Sequence, residues 1–174
     1  WHGNMISVTK IISYCHEMRK IILKTSLNCQ QPTHIGGALS IVEILAALYF
    51  NIMKIDLKNQ QDRFILSKGH GFLGLLSVLK LKKFITQKTL NDFQKDGTDI
   101  IAHPIMKPEL GIETSNGSLG QGLSYGVGLA IAYKLKGKRN SIYVLQGDGE
   151  CYEGSIWEAA ITATEMKLDN LTVL

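Results

Sequence analysis

The chain has 174 residues, 45% of them apolar and 20% charged, with a net charge of +4. That is enough chain for one substantial hydrophobic core. No apolar run is expected to reach the roughly 18 residues of a membrane span, and no charged start leads into a cleavable apolar segment, so a soluble, cytoplasmic domain is the expectation. Cys15, Cys29 and Cys151 are widely spaced and form no Cys-x-x-Cys pair, which indicates neither a disulfide framework nor a zinc site. The clusters Lys80/Lys82/Lys83 and Lys134/Lys136/Lys138/Arg139 fall near expected helix ends, where cations complement the dipole, and they lack the aromatic interleaving of a nucleic-acid surface. Trp1-His2-Gly3-Asn4 precede Met5 and read as a candidate cloning remnant.

In chain order, apolar residues at Ile11, Ile12, Cys15, Met18, Ile22 and Leu23 predict a helix from Ile6 to about Leu27. A polar loop, 30–37, follows. Ser40-Ile41-Val42-Glu43 has the spacing of a capping box and opens a second, largely buried helix through Ile44, Leu45, Leu48, Tyr49 and Ile52. Arg63 to Ser67 is a short apolar strand, and Lys68-Gly69-His70-Gly71 turns into a helix ending near Phe84. Thr86 to Phe93 forms a short helix. Gln94 to Gly117 is a long loop of the kind that carries function in compact domains. A helix from Leu119 to Leu135 holds Gly120, Gly122, Gly126 and Gly128, each costing about 1 kcal/mol relative to alanine; close approach to another backbone or a ligand supplies a reason, and a mobile loop is the alternative that the apolar Leu123, Val127, Leu129 and Ile131 disfavour. The strand Ile142–Leu145, a helix from about Ser155 to Met166 and a last strand from Leu171 complete a strand-helix-strand pattern, which predicts a parallel sheet.

Gly147-Asp148-Gly149 lies at the carboxyl end of the second strand, where α/β folds bind ligands. The glycines permit a sharp turn and close approach to phosphate oxygens, and Asp148 supplies a hard oxygen for Mg²⁺ or Ca²⁺. Three histidines, His34, His70 and His103, stand in loop-like settings flanked by Gly or Pro, without the His-x-x-x-His spacing of a helical zinc site. The segment Gly147-x-Gly149 is followed by Tyr152 and not a third glycine, and no Gly-Lys-Ser/Thr motif occurs, which disfavours NAD or ATP binding.

Thr33 to Ser40 with Glu43-Ile44-Leu45, then Leu66 to Gly71, His103-Pro104, Gly111 to Leu123, and Gly147 to Glu150 with Glu153-Gly154 and Trp157-Glu158-Ala159 occur in order, and together the chain resembles the transketolases. The resemblance covers only the amino-terminal, diphosphate-binding part of such an enzyme. It implies an α/β fold, a parallel sheet with helices on both faces, with residues 5–174 forming one diphosphate-binding domain that is incomplete at its carboxyl end.

The resemblance further implies thiamine diphosphate with Mg²⁺ (or Ca²⁺) as cofactors, Asp148 as the metal-binding aspartate, and Gly147, Gly149, Glu150, His70, Gly117, Ser118 and Leu119 as cofactor contacts. His34 and His103 resemble the catalytic pair facing the sugar's hydroxyls and reacting carbonyl, and Glu153 resembles an interface glutamate. Ser118 stands where many full-length members have proline. The implied reaction moves a two-carbon ketol unit from a ketose phosphate to an aldose phosphate. A carboxyl-terminal part or subunit carrying the pyrimidine domain is implied as partner, in a homo-oligomer or heterotetramer, with the chain inactive alone. The remaining alternatives are other thiamine diphosphate enzymes (1-deoxyxylulose-5-phosphate synthase, phosphoketolase and keto-acid dehydrogenase types) and a non-catalytic relic acting as a binding module.

Overall fold

The computed structural model describes residues 6–55 and 62–174, and the expected remnant at residues 1–4 lies outside them. The chain divides into two compact units, one made of the described residues up to Met53 with His70–Ala102, the other of the described residues of Lys54–Gly69 with His103–Leu174.

The first unit is helical. α1, Val8–Cys29, begins where the Ser7 hydroxyl accepts from the Lys10 amide and ends at Gln30 in the left-handed region. Cys15, Met18 and Ile22, spaced at three and four residues, form its buried stripe. Burial pushes the Cys15 thiol up, which leaves it an inert packing group.

The polar loop expected at 30–37 becomes helix earlier than the sequence suggests. α2 spans Ile35–Leu39, the chain turns at Ser40–Ile41, and α3 spans Val42–Ala47 before a π turn over Leu48–Ile52. The capping box at Ser40 and Glu43 does not form. The Ser40 hydroxyl donates back to the Gly37 carbonyl at 3.0 Å, and Glu43 pairs instead with Arg19 of α1. Long-range partners have outcompeted the local cap. The 18 residues Ile35–Ile52 together are long and apolar enough to match a membrane span, a feature hidden in the sequence by the polar interruptions at Ser40 and Glu43. Here they are a core segment: Ala38, Ile41, Val42, Leu45, Ala46, Leu48 and Tyr49 are buried in a unit where α3 packs on α1 and on α4, Phe72–Leu81. α5, Gln87–Asn91, closes the unit, with Thr86 and Thr89 forming a reciprocal cap.

The second unit holds the sheet. β1 (Arg63–Leu66), β2 (Ile142–Leu145) and β3 (Leu171–Val173) pair in parallel in the order β1-β2-β3, with Arg63 opposite Ile142 and Ile142 opposite Leu171. β1 and β2 are nearly continuous apolar runs, as buried parallel strands require. α6, Gln121–Leu135, and α7, Gly154–Glu165, pack with the strands around Ile65, Leu123, Val127, Ala130, Ile142, Val144, Ile156 and Ala159.

The glycines of α6 explain how closely it lies on the sheet. A Cβ on Gly126 would stand 2.6 Å from Val144 Cγ2, and one on Gly122 would overlap the Ser67 side chain and come within 2.7 Å of its Cα. Gly128 is exposed with nothing nearby, so its place in the helix has no packing reason. Of the basic cluster at the carboxyl end of α6, Lys134 reaches across to donate to the Met166 and Lys167 carbonyls, capping the end of α7 and not that of its own helix.

Candidate functional site

The carboxyl ends of β1 and β2 carry the chemistry-bearing residues of the second unit. Beyond β2 the chain turns through Gly147-Asp148-Gly149 into a 3-10 turn, Gly149–Tyr152, with Asp148 at its cap position. Asp148 is exposed, and among the described residues its carboxylate makes no hydrogen bond or ion pair. The amides of Asp148 and Gly149 likewise find no protein acceptor there. Space beside Gly149 is open. Gln146, one residue before the turn, donates from Nε2 toward the Cys151 sulfur at 3.5 Å and leaves its buried Oε1 without a partner. An orphaned acceptor of this kind would be satisfied by a donor or a cation, and not by the oxygens of an anion.

A second turn, Gly117-Ser118-Leu119-Gly120, stands beside the first. The amides of Gly117, Ser118 and Leu119 have no protein acceptor among the described residues, and Gly117 and Ser118 are exposed. Gly120 adopts φ +84° at the start of α6, a conformation that favours glycine, and an added Cβ would stand 2.5 Å from Ser155 Oγ. The two turns are joined by one side chain. Glu150, 1% exposed, accepts from the Gly120 amide at 2.7 Å through Oε1 and from the Gly147 amide at 3.1 Å through Oε2, and Oε1 also takes the Ser67 hydroxyl at the end of β1. Among the residues expected to contact cofactor, Glu150 is thus the one whose carboxylate faces the interior. Glu153, expected at an interface, is exposed, with its stem against Gly120.

The loop that carries His103 is fixed to β1 at both ends of that strand. Asn116 Nδ2 donates to the Leu66 carbonyl at 2.9 Å, while Arg63 grips both oxygens of Glu113 at 2.7 and 2.8 Å and donates from Nε to the Tyr133 hydroxyl at 2.8 Å. Desolvation alone would lower the affinity of the Arg63 guanidinium for its proton, yet Glu113 and Tyr133 together hold its pKa above the ordinary value. Half-buried His103 is brought against Gly69, where an added Cβ would lie 3.1 Å from the ring and 2.7 Å from the Asn116 carbonyl oxygen. Only a glycine fits there.

In the helical unit, His34 and His70 meet edge to face, their ring centroids 5.9 Å apart. Gly37 admits this contact, since a Cβ there would stand 2.6 Å from His70 Cδ2. Sequence reasoning named the three histidines and the turn residues but gave no role to Ser67, Asn116, Arg63 or Gln146. The available signal was position: each sits at a strand end or in the loop that strand ends must hold.

Among the described residues, no group of three or more His, Cys, Asp or Glu side chains converges as a metal cage. A metal at Asp148 would draw its remaining oxygens from a bound ligand or further groups.

The family model described as "Transketolase, thiamine diphosphate binding domain" matches residues 14–174. The chain belongs to the transketolase family. Among curated transketolase relatives, it is 46% identical over 142 residues to the 6-deoxy-6-sulfo-D-fructose transketolase subunit of a Clostridium species, covering 79% of this chain and 52% of that protein. It is 43% identical over 162 residues to one of the subunits of the apulose-4-phosphate transketolase of Actinobacillus succinogenes, covering 90% and 58%. The chain therefore spans about half the length of the curated relatives it matches. The transketolase of Leishmania mexicana superposes with a TM-score of 0.83 at 28% identity, over 98% of this chain and 27% of that one. The parallel sheet with its helices is thus the transketolase cofactor-binding fold, as the sequence resemblance implies.

Proposed function

We propose that this chain is the amino-terminal part of a Mg²⁺-dependent transketolase that passes a two-carbon ketol unit from a ketose phosphate to an aldose phosphate, and that it is inactive until a carboxyl-terminal part supplies the pyrimidine domain. The observation that carries the reading is the pair of turns that Glu150 joins, Gly117–Gly120 and Gly147–Gly149: the amides of Gly117, Ser118, Leu119, Asp148 and Gly149 have no protein acceptor among the described residues, and the second turn carries the exposed carboxylate of Asp148. Oriented amides and one hard oxygen suit a diphosphate neutralised by a divalent cation.

In this reading Asp148 holds the metal, the amides of Asp148 and Gly149 take diphosphate oxygens, and His70 donates to the same group. Thiamine diphosphate, when bound, supplies the electron sink for cleaving a carbon–carbon bond beside a carbonyl. Gly117, Ser118 and Leu119 line the cofactor's other end. His34 and His103 hold the sugar hydroxyls and move a proton at the reacting carbonyl oxygen, help that is typically worth about 10²- to 10⁴-fold in rate. The partner subunit is proposed from relatives that are themselves named as subunits. A dimeric or heterotetrameric assembly in the cytoplasm, with Glu153 at the subunit interface, completes the proposal.

Titration with thiamine diphosphate in Mg²⁺ and in EDTA, followed by thermal unfolding, tests it. A ligand at 100 times its Kd adds about 2.7 kcal/mol of stability. A melting temperature that rises only with both components, and ketol transfer that appears only with the carboxyl-terminal part present, are the expected results. An unchanged melting temperature in the assembled protein refutes the reading.

A further inference from the structure

We propose that Glu150 is a positioning residue: its buried carboxylate sets the spacing between the Gly147–Gly149 turn, which takes the diphosphate, and the Gly117–Gly120 turn, which lines the cofactor's other end, and so governs how well the two together fit one cofactor. The inference rests on the cofactor reading above.

Three elements end at this side chain. Ser67 closes β1, Gly147 follows β2 and Gly120 opens α6, and each presents a donor that the sheet and helix ladders leave over. Gly120 and Gly147 are buried, so each amide needs an acceptor, and leaving one unmade costs more than the bond itself is worth. A carboxylate is the side chain that can take all three, because it accepts at both oxygens and donates at neither. Its own backbone joins in. The Glu150 amide donates to the Gly147 carbonyl at 3.1 Å while the Gly147 amide donates to Oε2, a reciprocal pair like that of a capping box. From the other side Ser155 Oγ donates to the Gly120 carbonyl at 2.8 Å, so that Gly120 is held through both its amide and its carbonyl.

Glu150→Gln separates positioning from bulk. The amide keeps the volume, but one end of it must become NH₂. Placing the amide oxygen at the Oε1 site preserves the bonds from Ser67 and Gly120 and sets NH₂ against the Gly147 N–H. The damage is then confined to the diphosphate turn. Val127→Ala, in the core of the same unit and away from these donors, serves as the control for lost stability alone.

Two readouts on the full-length protein decide the matter. In cofactor-free protein, amide hydrogen exchange should accelerate at Gly147 in Glu150→Gln while Gly120 stays protected, and should accelerate at both in Glu150→Ala. By calorimetry in Mg²⁺, Glu150→Gln should weaken thiamine diphosphate binding about 10- to 100-fold, as loss of a residue supporting metal ligands typically does, with Val127→Ala near wild type. Wild-type affinity in Glu150→Gln, or equal weakening in both variants, overturns the inference while leaving the cofactor reading standing. A wild-type protein that binds no thiamine diphosphate removes the reading and the inference with it.

Discussion

Alanine at two glycines of α6 should shift stability in opposite directions, although the chemical change is identical. Gly128 is exposed with no atom within 4 Å of an added Cβ, so Gly128→Ala gains only helix propensity, about 1 kcal/mol. Gly122 faces β1, and there the new methyl would overlap the Ser67 side chain and lie 2.7 Å from its Cα, against an ordinary contact that begins near 3.4 Å. The difference, 3.4 − 2.7 = 0.7 Å, has to come from moving α6 or the strand end, because one obstructing atom is backbone and no rotamer removes it. Overpacking of that kind costs up to about 3 kcal/mol, which leaves a net loss of about 2 kcal/mol after the propensity gain. Urea denaturation followed by far-UV circular dichroism gives both values. Midpoints that rise together in the two variants would mean that α6 does not lie against β1 as described. Because Ser67 also donates to Glu150, Gly122→Ala should in addition weaken cofactor binding, whereas Gly128→Ala should not.

Glu113→Gln replaces one arm of a two-pronged, largely buried grip on Arg63 and should cost about 2 kcal/mol in the same assay, with faster proteolysis of the 103–117 loop as its local signature. Asp148→Asn should leave the stability of the cofactor-free protein within about 0.5 kcal/mol of wild type, as befits an exposed side chain, while abolishing the Mg²⁺-dependent rise in melting temperature with thiamine diphosphate. His103→Ala in the completed enzyme should lower kcat about 10²- to 10⁴-fold, and unchanged turnover would remove the residue from the mechanism. The hydrogen bond from Arg19 holds the Glu43 carboxyl below its ordinary value of 4.5, so this pair contributes stability above that pH and loses it as pH falls through the folded-state value. With both side chains more than a third exposed, the contribution is below about 1 kcal/mol, and Arg19→Ala should flatten the pH dependence of unfolding on the acid side of the ordinary carboxylate value.

The amino-acid sequence by itself determined the elements whose signal is local. The apolar runs at Phe64–Leu66 and Ile142–Leu145 are short, rich in strand-forming residues and followed by glycine turns, which suits buried strands, and the spacing of Cys15, Met18 and Ile22 suits one face of a helix. Gly147-Asp148-Gly149 announced a turn at a strand end for the same reason, since its conformational freedom and its charge belong to the residues themselves. Tertiary structure decided whatever depended on a partner far along the chain. Ser40 and Glu43 satisfy the capping-box pattern, yet Gly37 and Arg19 claim their side chains, so the helix breaks where the sequence has it begin. Glu150 reads as one more ligand-facing residue beside Asp148, but donors 30 and 83 positions away turn its carboxylate inward. A hydrogen bond is directional and local in space while being indifferent to separation along the chain, which is why the turns could be read in advance and the side chain that joins them could not.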